Sequence, residues 1–307
     1  MGSNALDAAS RFALATLPTP LVPARRPGVF LKRDDLTGFG VAGHKARQLE
    51  FLLGDAMEWD CDVLVTGGGP TSNWVAAAAV AAAVAGLECE IVLYGDRPAR
   101  AHPNLALALA AGAGVRFTGD PVRAAVDTAV LDVAADLEAA GRRPYPVPRG
   151  GATAVGAIGM ALAADELPDG PGTIVVATGS GGACAGLAVG AAAKGWTVVG
   201  ASVSRPLAEA TEHVQALADS CAGLLGLPSP TVTLVDARGP GFGLPSAEGE
   251  AAAQVALRTE GLVLDPVYTA KAFAVVLRMA DDGHPGPLVF WHTGGLLAAA
   301  DHLATNR

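Results

Sequence analysis

The sequence predicts an α/β fold of two open, twisted parallel sheets with flanking helices. A chain of 307 residues is long enough for two α/β domains around a shared cleft. Short apolar runs alternate with helix-length segments, a pattern typical of parallel strands joined by helices. Several glycine-rich segments directly follow these runs. Because ligands of such folds bind where glycine-rich loops enter helices, we expect the functional site in the cleft between the domains.

The strands are predicted from their apolar runs, and the helices from their hydrophobic period. Runs typical of buried strands lie at residues 61–66, 90–94, 173–177, 197–202, 231–236 and 287–291. Residues 46–59 repeat apolar side chains at a helical period, with Leu49, Leu52 and Met57 among them. A proline-rich segment at residues 143–148 marks the internal boundary.

The composition excludes several classes of partner and site. A net charge of −9 without a cluster of Lys and Arg argues against nucleic-acid or anionic-membrane partners. The longest apolar run, residues 74–87, is shorter than the roughly 20 residues of a membrane span and predicts a buried helix. Residues 1–10 lack the pattern of a secretory signal. Four scattered cysteines favour free thiols in the cytoplasm over disulfides or a metal site.

A glycine-rich loop at residues 178–183 follows one predicted strand and precedes a helix predicted at residues 184–194. Its residues are Thr178, Gly179, Ser180, Gly181, Gly182 and Ala183. Converging backbone N–H groups and the helix N-terminus suit a phosphate monoester, although a tight strand-to-helix turn has the same pattern. The loop lacks the Gly-Lys-Ser/Thr ending of nucleoside-triphosphate sites, and no acidic residue ends the next strand, which disfavours NAD.

Two further segments contain candidate reactive groups. Lys45 follows a glycine-rich stretch at the start of a helix, where the helix field favours the neutral amine that Schiff-base chemistry needs. A solvent-exposed lysine is the alternative. A second loop, residues 67–73, leads into a helix at Trp74 and suits a substrate carboxylate. Simple N-capping by Ser72 or Asn73 is the alternative there.

Together these segments resemble one enzyme family. Residues 32–38 and 43–45 resemble the Schiff-base segment of the D-cysteine desulfhydrase and 1-aminocyclopropane-1-carboxylate (ACC) deaminase family. This family is a branch of the fold type II pyridoxal 5′-phosphate (PLP) enzymes, the tryptophan synthase β-like group. The other matching segments, in the same order, are residues 66–73, 150–157, 177–182, 239–241, 264–269 and 292–295. The resemblance spans residues 18–295.

The resemblance implies a cofactor, PLP, and residues that hold it. Lys45 would form the Schiff base and shuttle a proton, while residues 179–183 would hold the phosphate. Asn73 would lie near the cofactor hydroxyl, and Thr293 would meet the pyridine nitrogen. The larger, PLP-binding domain would comprise residues 1–47 and 149–307, and the smaller one residues 48–148.

The same resemblance implies residues that bind and convert the substrate. Ser72 and Asn73 would hold the substrate carboxylate, and Tyr268 would serve as acid, base or nucleophile. The chain departs from the family pattern where His44 replaces asparagine. Further departures lie in the carboxylate loop and near the substrate, at Thr71, Trp74 and Phe242. All four departures lie in the expected substrate pocket, where these residues would contact the substrate. His44 would act either as a second base or only as a hydrogen-bond donor in place of asparagine.

We therefore expect a lyase that eliminates the β-substituent of a small amino acid such as D-cysteine, giving pyruvate and ammonia. ACC deaminases carry glutamate after the tyrosine where this chain has Thr269, which makes ring opening the less favoured alternative. β-Substitution, racemisation with Lys45 and Ser72 as opposed proton carriers, and non-catalytic ligand binding remain alternatives. The resemblance also implies a homodimer or a larger homo-oligomer.

Overall fold

The computed structural model describes residues 10–305, which form two sheets and ten α-helices. The strands are β1 (Leu21–Pro23), β2 (Val29–Lys32), β3 (Val63–Gly68), β4 (Glu88–Leu93), β5 (Gly114–Phe117), β6 (Pro144–Val147), β7 (Gly172–Thr178), β8 (Trp196–Ser202), β9 (Thr233–Asp236) and β10 (Leu288–Trp291). The helices are α1 (Lys45–Glu58), α2 (Asn73–Ala85), α3 (Pro103–Ala110), α4 (Ala125–Ala139), α5 (Ala154–Ala163), α6 (Gly182–Ala192), α7 (Leu207–Leu225), α8 (Ala247–Val255), α9 (Thr269–Asp281) and α10 (Leu296–Thr305). The expectation about a secretory signal falls mainly on residues 1–9, outside the described residues.

The larger sheet has six strands in the order β1-β2-β10-β7-β8-β9. All neighbours pair in parallel except β1 and β2, which are antiparallel. This pair departs from the all-parallel prediction because only residues 24–28 join the two strands, and so short a connection permits a hairpin but no crossover. The four strands predicted between residues 173 and 291 are confirmed in this sheet.

The smaller sheet has four parallel strands in the order β5-β4-β3-β6. Its two predicted strands are confirmed as β3 and β4. The proline-rich segment contains the edge strand β6, whose Pro144 and Pro146 lie opposite Val63 and Val65. Proline is tolerated there because an edge strand needs hydrogen-bond donors on one side only. The strands of this sheet all lie between residues 63 and 147, while the predicted domain bounds stay a prediction.

Closely packed helices cover the larger sheet, and glycines set their spacing. A Cβ atom at Gly186 of α6 would lie 2.2 Å from the carbonyl oxygen of Ala157 in α5, and one at Gly190 would lie 2.0 Å from that of Ala161. The abundance of glycine and alanine thus permits helix backbones to approach closely. The predicted helices at residues 46–59, 74–87 and 184–194 are confirmed as α1, α2 and α6.

The carboxyl ends of the central strands of both sheets open toward one cleft. Loops after β3, β7 and β10 lead into α2, α6 and α10 and supply residues to its wall. The loop after β2 leads into α1 and also reaches the cleft. None of the helices between residues 10 and 305 is both long and apolar enough to cross a bilayer.

Candidate active site

A cleft of about 420 Å³ collects most of the residues predicted from the sequence. The predicted residues in its wall are His44, Lys45, Thr71, Ser72, Asn73, Trp74, Gly179, Ser180, Gly181, Ala183, Phe242, Tyr268 and Thr293. Thr178 and Gly182 are not part of this wall. The hydroxyl of Thr178 donates to the carbonyl of Val176, 3.3 Å away. The residues of the wall come from segments that are far apart in the sequence, and the fold brings them together around this cleft.

Lys45 is the first residue of α1, and its position depends on the glycine two residues earlier. Gly43 has φ of +58°, and a Cβ there would lie 2.2 Å from the carbonyl oxygen of Thr293. This contact permits only glycine and brings the start of α1 against the loop after β10. Loss of hydration lowers the pKa of Lys45 to about 8, and the negative charge of Asp265 partly opposes the shift. A neutral amine is therefore well populated near pH 8.

His44 lies between Lys45 and the backbone of Thr293. Its Nδ1 is 2.9 Å from the carbonyl oxygen of Thr293, and its Nε2 is 3.4 Å from Nζ of Lys45. Since a carbonyl only accepts, Nδ1 bears the proton and Nε2 is left as an acceptor facing the lysine. Loss of hydration, and next the charge of Lys45, hold the pKa of His44 well below its usual 6.5. The imidazole is thus neutral and oriented.

The glycine-rich loop between β7 and α6 presents its backbone to the cleft. Gly181 has φ of +102°, and a Cβ at Gly179 would lie 2.8 Å from the ring of Tyr268, so both positions require glycine. The hydroxyl of Ser180 donates to the carbonyl of Gly150 at 3.3 Å. His213 approaches the other side of the loop, with Nε2 2.9 Å from the carbonyl oxygen of Ser180.

Gln48 gives a test of whether this loop fits a phosphate-bearing cofactor. Its Nε2 and Oε1 are the only buried side-chain nitrogen or oxygen atoms between residues 10 and 305 without a hydrogen-bond partner. Nε2 lies 2.8 Å from the place that a Cβ of Gly182 would occupy, at the first turn of α6. An unpaired buried donor beside a helix N-terminus that opens on the cleft fits a phosphate group at this end.

The second loop is held in shape by Asn104 of α3. The amide of Asn104 donates to the carbonyl of Thr71 at 2.9 Å and to Oδ1 of Asn73 at 2.8 Å. Ser72 caps α2 by accepting from the backbone N–H of Val75 at 3.4 Å, so the capping alternative is present although the residue also lies in the cleft wall. The loop therefore presents a helix N-terminus and short polar side chains to the cleft.

Trp74 contributes little surface to the cleft. It is only 1% exposed, and its indole N–H donates to the hydroxyl of Thr66 at 2.8 Å. A Cβ at Gly151 would lie 2.4 Å from the indole ring. The buried indole therefore holds the loop of residues 67–73 in place, and Trp74 also borders the cleft.

Tyr268 stands at the start of α9, where Asp265 fixes the backbone. The carboxylate of Asp265 accepts from the backbone N–H of Val267, Tyr268 and Thr269 at 3.1, 2.7 and 3.0 Å. Phe242 meets the Tyr268 ring edge-on, with 6.2 Å between ring centroids. Loss of hydration, and next the charge of Asp265, raise the pKa of Tyr268 well above 10. Its phenol is therefore a hydroxyl donor at neutral pH.

Sequence reasoning missed several groups that the fold brings to the site. These are Arg123, Arg149, Arg205, His213 and Asp265 in the cleft wall, and Gln48, which lies outside the wall beside Gly182. Asp265 had a local signal, because an acidic residue just before a helix is typical of a cap. The arginines come from three separate segments, so no spacing in the sequence could have linked them. Between residues 10 and 305 no group of His, Cys, Asp and Glu side chains could hold a metal ion.

Comparison with known proteins decides the family. The family model described as "Pyridoxal-phosphate dependent enzyme" matches residues 12–294. The chain belongs to this family. For a pyridoxal-phosphate dependent enzyme the cofactor is PLP, and the cofactor and fold-type predictions are thereby confirmed.

Relatives within this family share nearly the full length of the chain. A protein of Klebsiella pneumoniae subsp. pneumoniae named D-cysteine desulfhydrase is 36% identical, with 95% of this chain and 97% of that protein covered. A Pyrococcus abyssi protein provisionally named 1-aminocyclopropane-1-carboxylate deaminase is 37% identical, with coverage of 87% and 84%. The crystal structure of an ACC deaminase homologue superposes with a TM-score of 0.90 at 33% identity, covering 98% of this chain and 97% of that one. The resemblance recognised in the sequence is confirmed.

Proposed function

We propose that this PLP-dependent enzyme is a lyase that performs α,β-elimination on a small β-substituted amino acid, with D-cysteine as the first candidate. One observation carries the proposal: the amine of Lys45, with its lowered pKa, lies in the same cleft wall as the polar loop of Ser72 and Asn73. The names of the Klebsiella relative and of others at similar identity support this activity. For D-cysteine, the reaction with one water gives hydrogen sulfide, pyruvate and ammonium.

The proposed roles start with the cofactor. When bound, PLP supplies an aldehyde for covalent attachment and an electron-withdrawing ring that acidifies the α-proton of a bound amino acid. Lys45 would hold the cofactor covalently, and its Nζ would move the Cα proton. The backbone N–H groups of residues 179–183 would bind the phosphate, and the hydroxyl of Thr293 would meet the pyridine nitrogen. Gln48 behind the phosphate loop supports the phosphate assignment.

The substrate would bind on the side of the second loop. Ser72 and Asn73 at the start of α2 would hold its carboxylate, since the helix N-terminus favours an anion. Tyr268, a neutral phenol, would donate a proton to the leaving group as the bond to Cβ breaks. His44 would orient the amine of Lys45, and Thr71, Trp74 and Phe242 would shape the pocket.

ACC ring opening is the second candidate, and the position after Tyr268 disfavours it. Thr269 is fully buried, and its hydroxyl donates to the carboxylate of Asp265 at 2.6 Å. It is therefore used in the cap of α9 and adds no acid or base to the cleft. Elimination of a good leaving group needs no further acid–base residue at this place.

The testing experiment is an absorbance spectrum of the holoenzyme before and after D-cysteine, with pyruvate measured in parallel. We expect a visible band that shifts on substrate and is absent from Lys45→Ala, together with pyruvate from the wild type alone. Full turnover by Lys45→Ala would refute the mechanism. A new amino acid would indicate β-substitution, loss of α-deuterium without product a racemase, and tight binding without turnover a non-catalytic binder.

The assembly and cellular location are proposed on other grounds. We propose a homo-oligomer, to be measured by light scattering of the purified holoenzyme. All four cysteines are free thiols, which supports a reducing cytoplasm as the location. Small amino acids, rather than macromolecules, are the proposed partners of the cleft.

A further inference from the structure

Arg123 is a cation in the cleft wall that has no counter-ion among the residues that the structure describes. Its side chain is half-buried just before α4, and its guanidinium carbon lies 3.6 Å from the centroid of the Phe242 ring. Its hydrogen bond goes from Nη2 to the neutral hydroxyl of Ser204, at 3.2 Å. Between residues 10 and 305, no carboxylate lies within ion-pair distance of this guanidinium. A partly desolvated charge without a partner is unfavourable unless a ligand pairs with it.

Two neighbouring arginines of the same wall do have carboxylate partners. Arg149 forms a two-point contact with Asp127, at 2.9 Å from Nε and 2.7 Å from Nη2. Arg205 meets Glu209 at 3.3 Å and donates to the carbonyl of Gly179 at 3.1 Å. Loss of hydration, and then the charges of these two arginines, lower the pKa of Arg123. The comparison singles out Arg123 as the guanidinium whose charge is left uncompensated.

The position of Arg123 relates it to the substrate side of the cleft. The guanidinium and the ring of Tyr268 both contact Phe242, the guanidinium over its face and Tyr268 edge-on. The charge of Arg123 is also close enough to oppose, in part, the rise that burial causes in the pKa of Tyr268. The guanidinium thus shares one aromatic neighbour with Tyr268, the residue proposed to protonate the leaving group. Arg123 lines the cleft of a chain whose net charge is −9. The composition therefore does not predict an anion-binding site, and a positive charge at this place is a local feature of the cleft.

We propose that Arg123 binds an anionic group at the far end of the substrate's β-substituent. The preferred substrates are then amino acids whose leaving group carries a carboxylate, sulfonate or phosphate, rather than D-cysteine itself. A planar guanidinium with free N–H donors suits each of these oxyanions because it can contact two of their oxygens. This inference rests on the proposed elimination, since it concerns the substrate of that reaction.

Binding of isosteric ligands tests the charge requirement without turnover. Glutamate and glutamine differ in side-chain charge but hardly in shape, and neither carries a leaving group on Cβ. We expect calorimetry of the holoenzyme to give tighter binding of glutamate, in the D or the L form. Arg123→Gln should reduce the glutamate-to-glutamine affinity ratio about tenfold, as expected for a lost charged hydrogen bond. The control Arg258→Gln removes the same charge from an exposed position outside the cleft and should leave the ratio unchanged.

Turnover gives an independent measurement. S-Carboxymethylcysteine and S-carbamoylmethylcysteine are a matched anionic and neutral pair, and elimination of either with one water yields the free thiol, pyruvate and ammonium. We expect kcat/KM to favour the anionic member, and Arg123→Gln to reduce that preference about tenfold. Lysine at this position, in Arg123→Lys, should restore part of the preference because it keeps the charge but loses the planar fork.

The outcomes separate this inference from the proposed reaction. An unchanged glutamate-to-glutamine ratio in Arg123→Gln would overturn the inference, whatever D-cysteine does. A loss of PLP affinity in the variant with an unchanged ratio would also overturn it, because Arg123 would then serve the cofactor. Absence of pyruvate from every tested amino acid would refute the elimination, while the calorimetric ratio would still test Arg123.

Discussion

The amine of Lys45 and the imidazole of His44 are tuned by their surroundings more than by each other. The lysine gains reactivity because loss of hydration disfavours its ammonium form, with a pKa near 8. Loss of hydration and the charge of Lys45 keep the histidine neutral, and one backbone carbonyl, that of Thr293, orients its ring. A single residue of the loop after β10 thereby fixes the groups at the start of α1.

The lowered pKa of Lys45 predicts a pH dependence for cofactor attachment. Only the neutral amine attacks an aldehyde, so the rate of covalent PLP incorporation into the apoprotein should rise with pH and level off above about pH 8. Stopped-flow absorbance on apoprotein mixed with PLP measures this rate. Lys194→Ala, outside the cleft, should behave as wild type, and Lys45→Ala should show no incorporation. A midpoint near 10.5 would mean that the amine is fully hydrated.

The contacts of His44 predict one neutral tautomer. Since its pKa lies well below 6.5, the ring should not titrate at or above pH 6.5, and its proton should stay on Nδ1. Nitrogen-15 NMR of the histidine rings measures both properties, with His44→Asn used to assign the signal. A proton found on Nε2 would contradict the hydrogen bond to Thr293.

At the level of elements, helix spacing depends on glycine. The helices α5 and α6 pack with backbone against backbone at Gly186 and Gly190, because these small residues leave room for the carbonyl oxygens of α5. Such contacts place the start of α6, with the glycine-rich loop before it, at a fixed position in the cleft wall. A glycine at a helical position with no atoms near its Cβ position does not set the distance between helices in this way.

A pair of matched substitutions tests this difference. Gly186→Ala places a methyl group 2.2 Å from the carbonyl of Ala157 and should lower the free energy of unfolding by about 1–3 kcal/mol. Gly223→Ala, in α7, meets nothing within 4 Å and should raise it by up to about 1 kcal/mol, because glycine is the poorer helix former. Urea unfolding followed by circular dichroism gives both values. Equal signs for the two variants would contradict the packing argument.

For the whole molecule, a buried ion network joins distant segments behind the cleft. Arg47 of α1 pairs with Asp34 at 2.8 Å and with Glu166 at 2.7 Å. Lys32 of β2 also pairs with Glu166, and the indole of Trp291 donates to Asp34 at 2.7 Å. The network therefore ties the helix that begins with Lys45 to the larger sheet.

Removal of one charge from this network should destabilise the molecule strongly. Arg47→Met leaves the buried carboxylate of Asp34 without its cationic partner, for an expected loss of about 3–5 kcal/mol in the free energy of unfolding. Arg258→Met, on the surface, should change it by less than about 0.5 kcal/mol. Chemical denaturation of both variants measures the difference. A loss below about 1 kcal/mol for Arg47→Met would show that the network contributes little.

The sequence predicted six of the ten strands between residues 10 and 305 from their apolar runs, because that signal is local, even where the strand has only four residues, as in β9 and β10. It missed β1, β2, β5 and β6, which are strands of three or four residues. Short strands take their conformation from their neighbours in the sheet rather than from their own pattern. In β6, prolines even argue against a strand unless its edge position is known.

By itself the sequence determined the family, the cofactor and the loops around Lys45, Ser72 and residues 179–183, because each depends on neighbours along the chain. Only the tertiary structure decided which charges are compensated. Among residues 10–305, Arg149 and Arg205 find carboxylates, Arg123 does not, and Gln48 is left unpaired beside the first turn of α6. The physical reason is that ion pairing and desolvation depend on distances across a few ångströms between segments far apart in the chain, which no spacing in the sequence encodes.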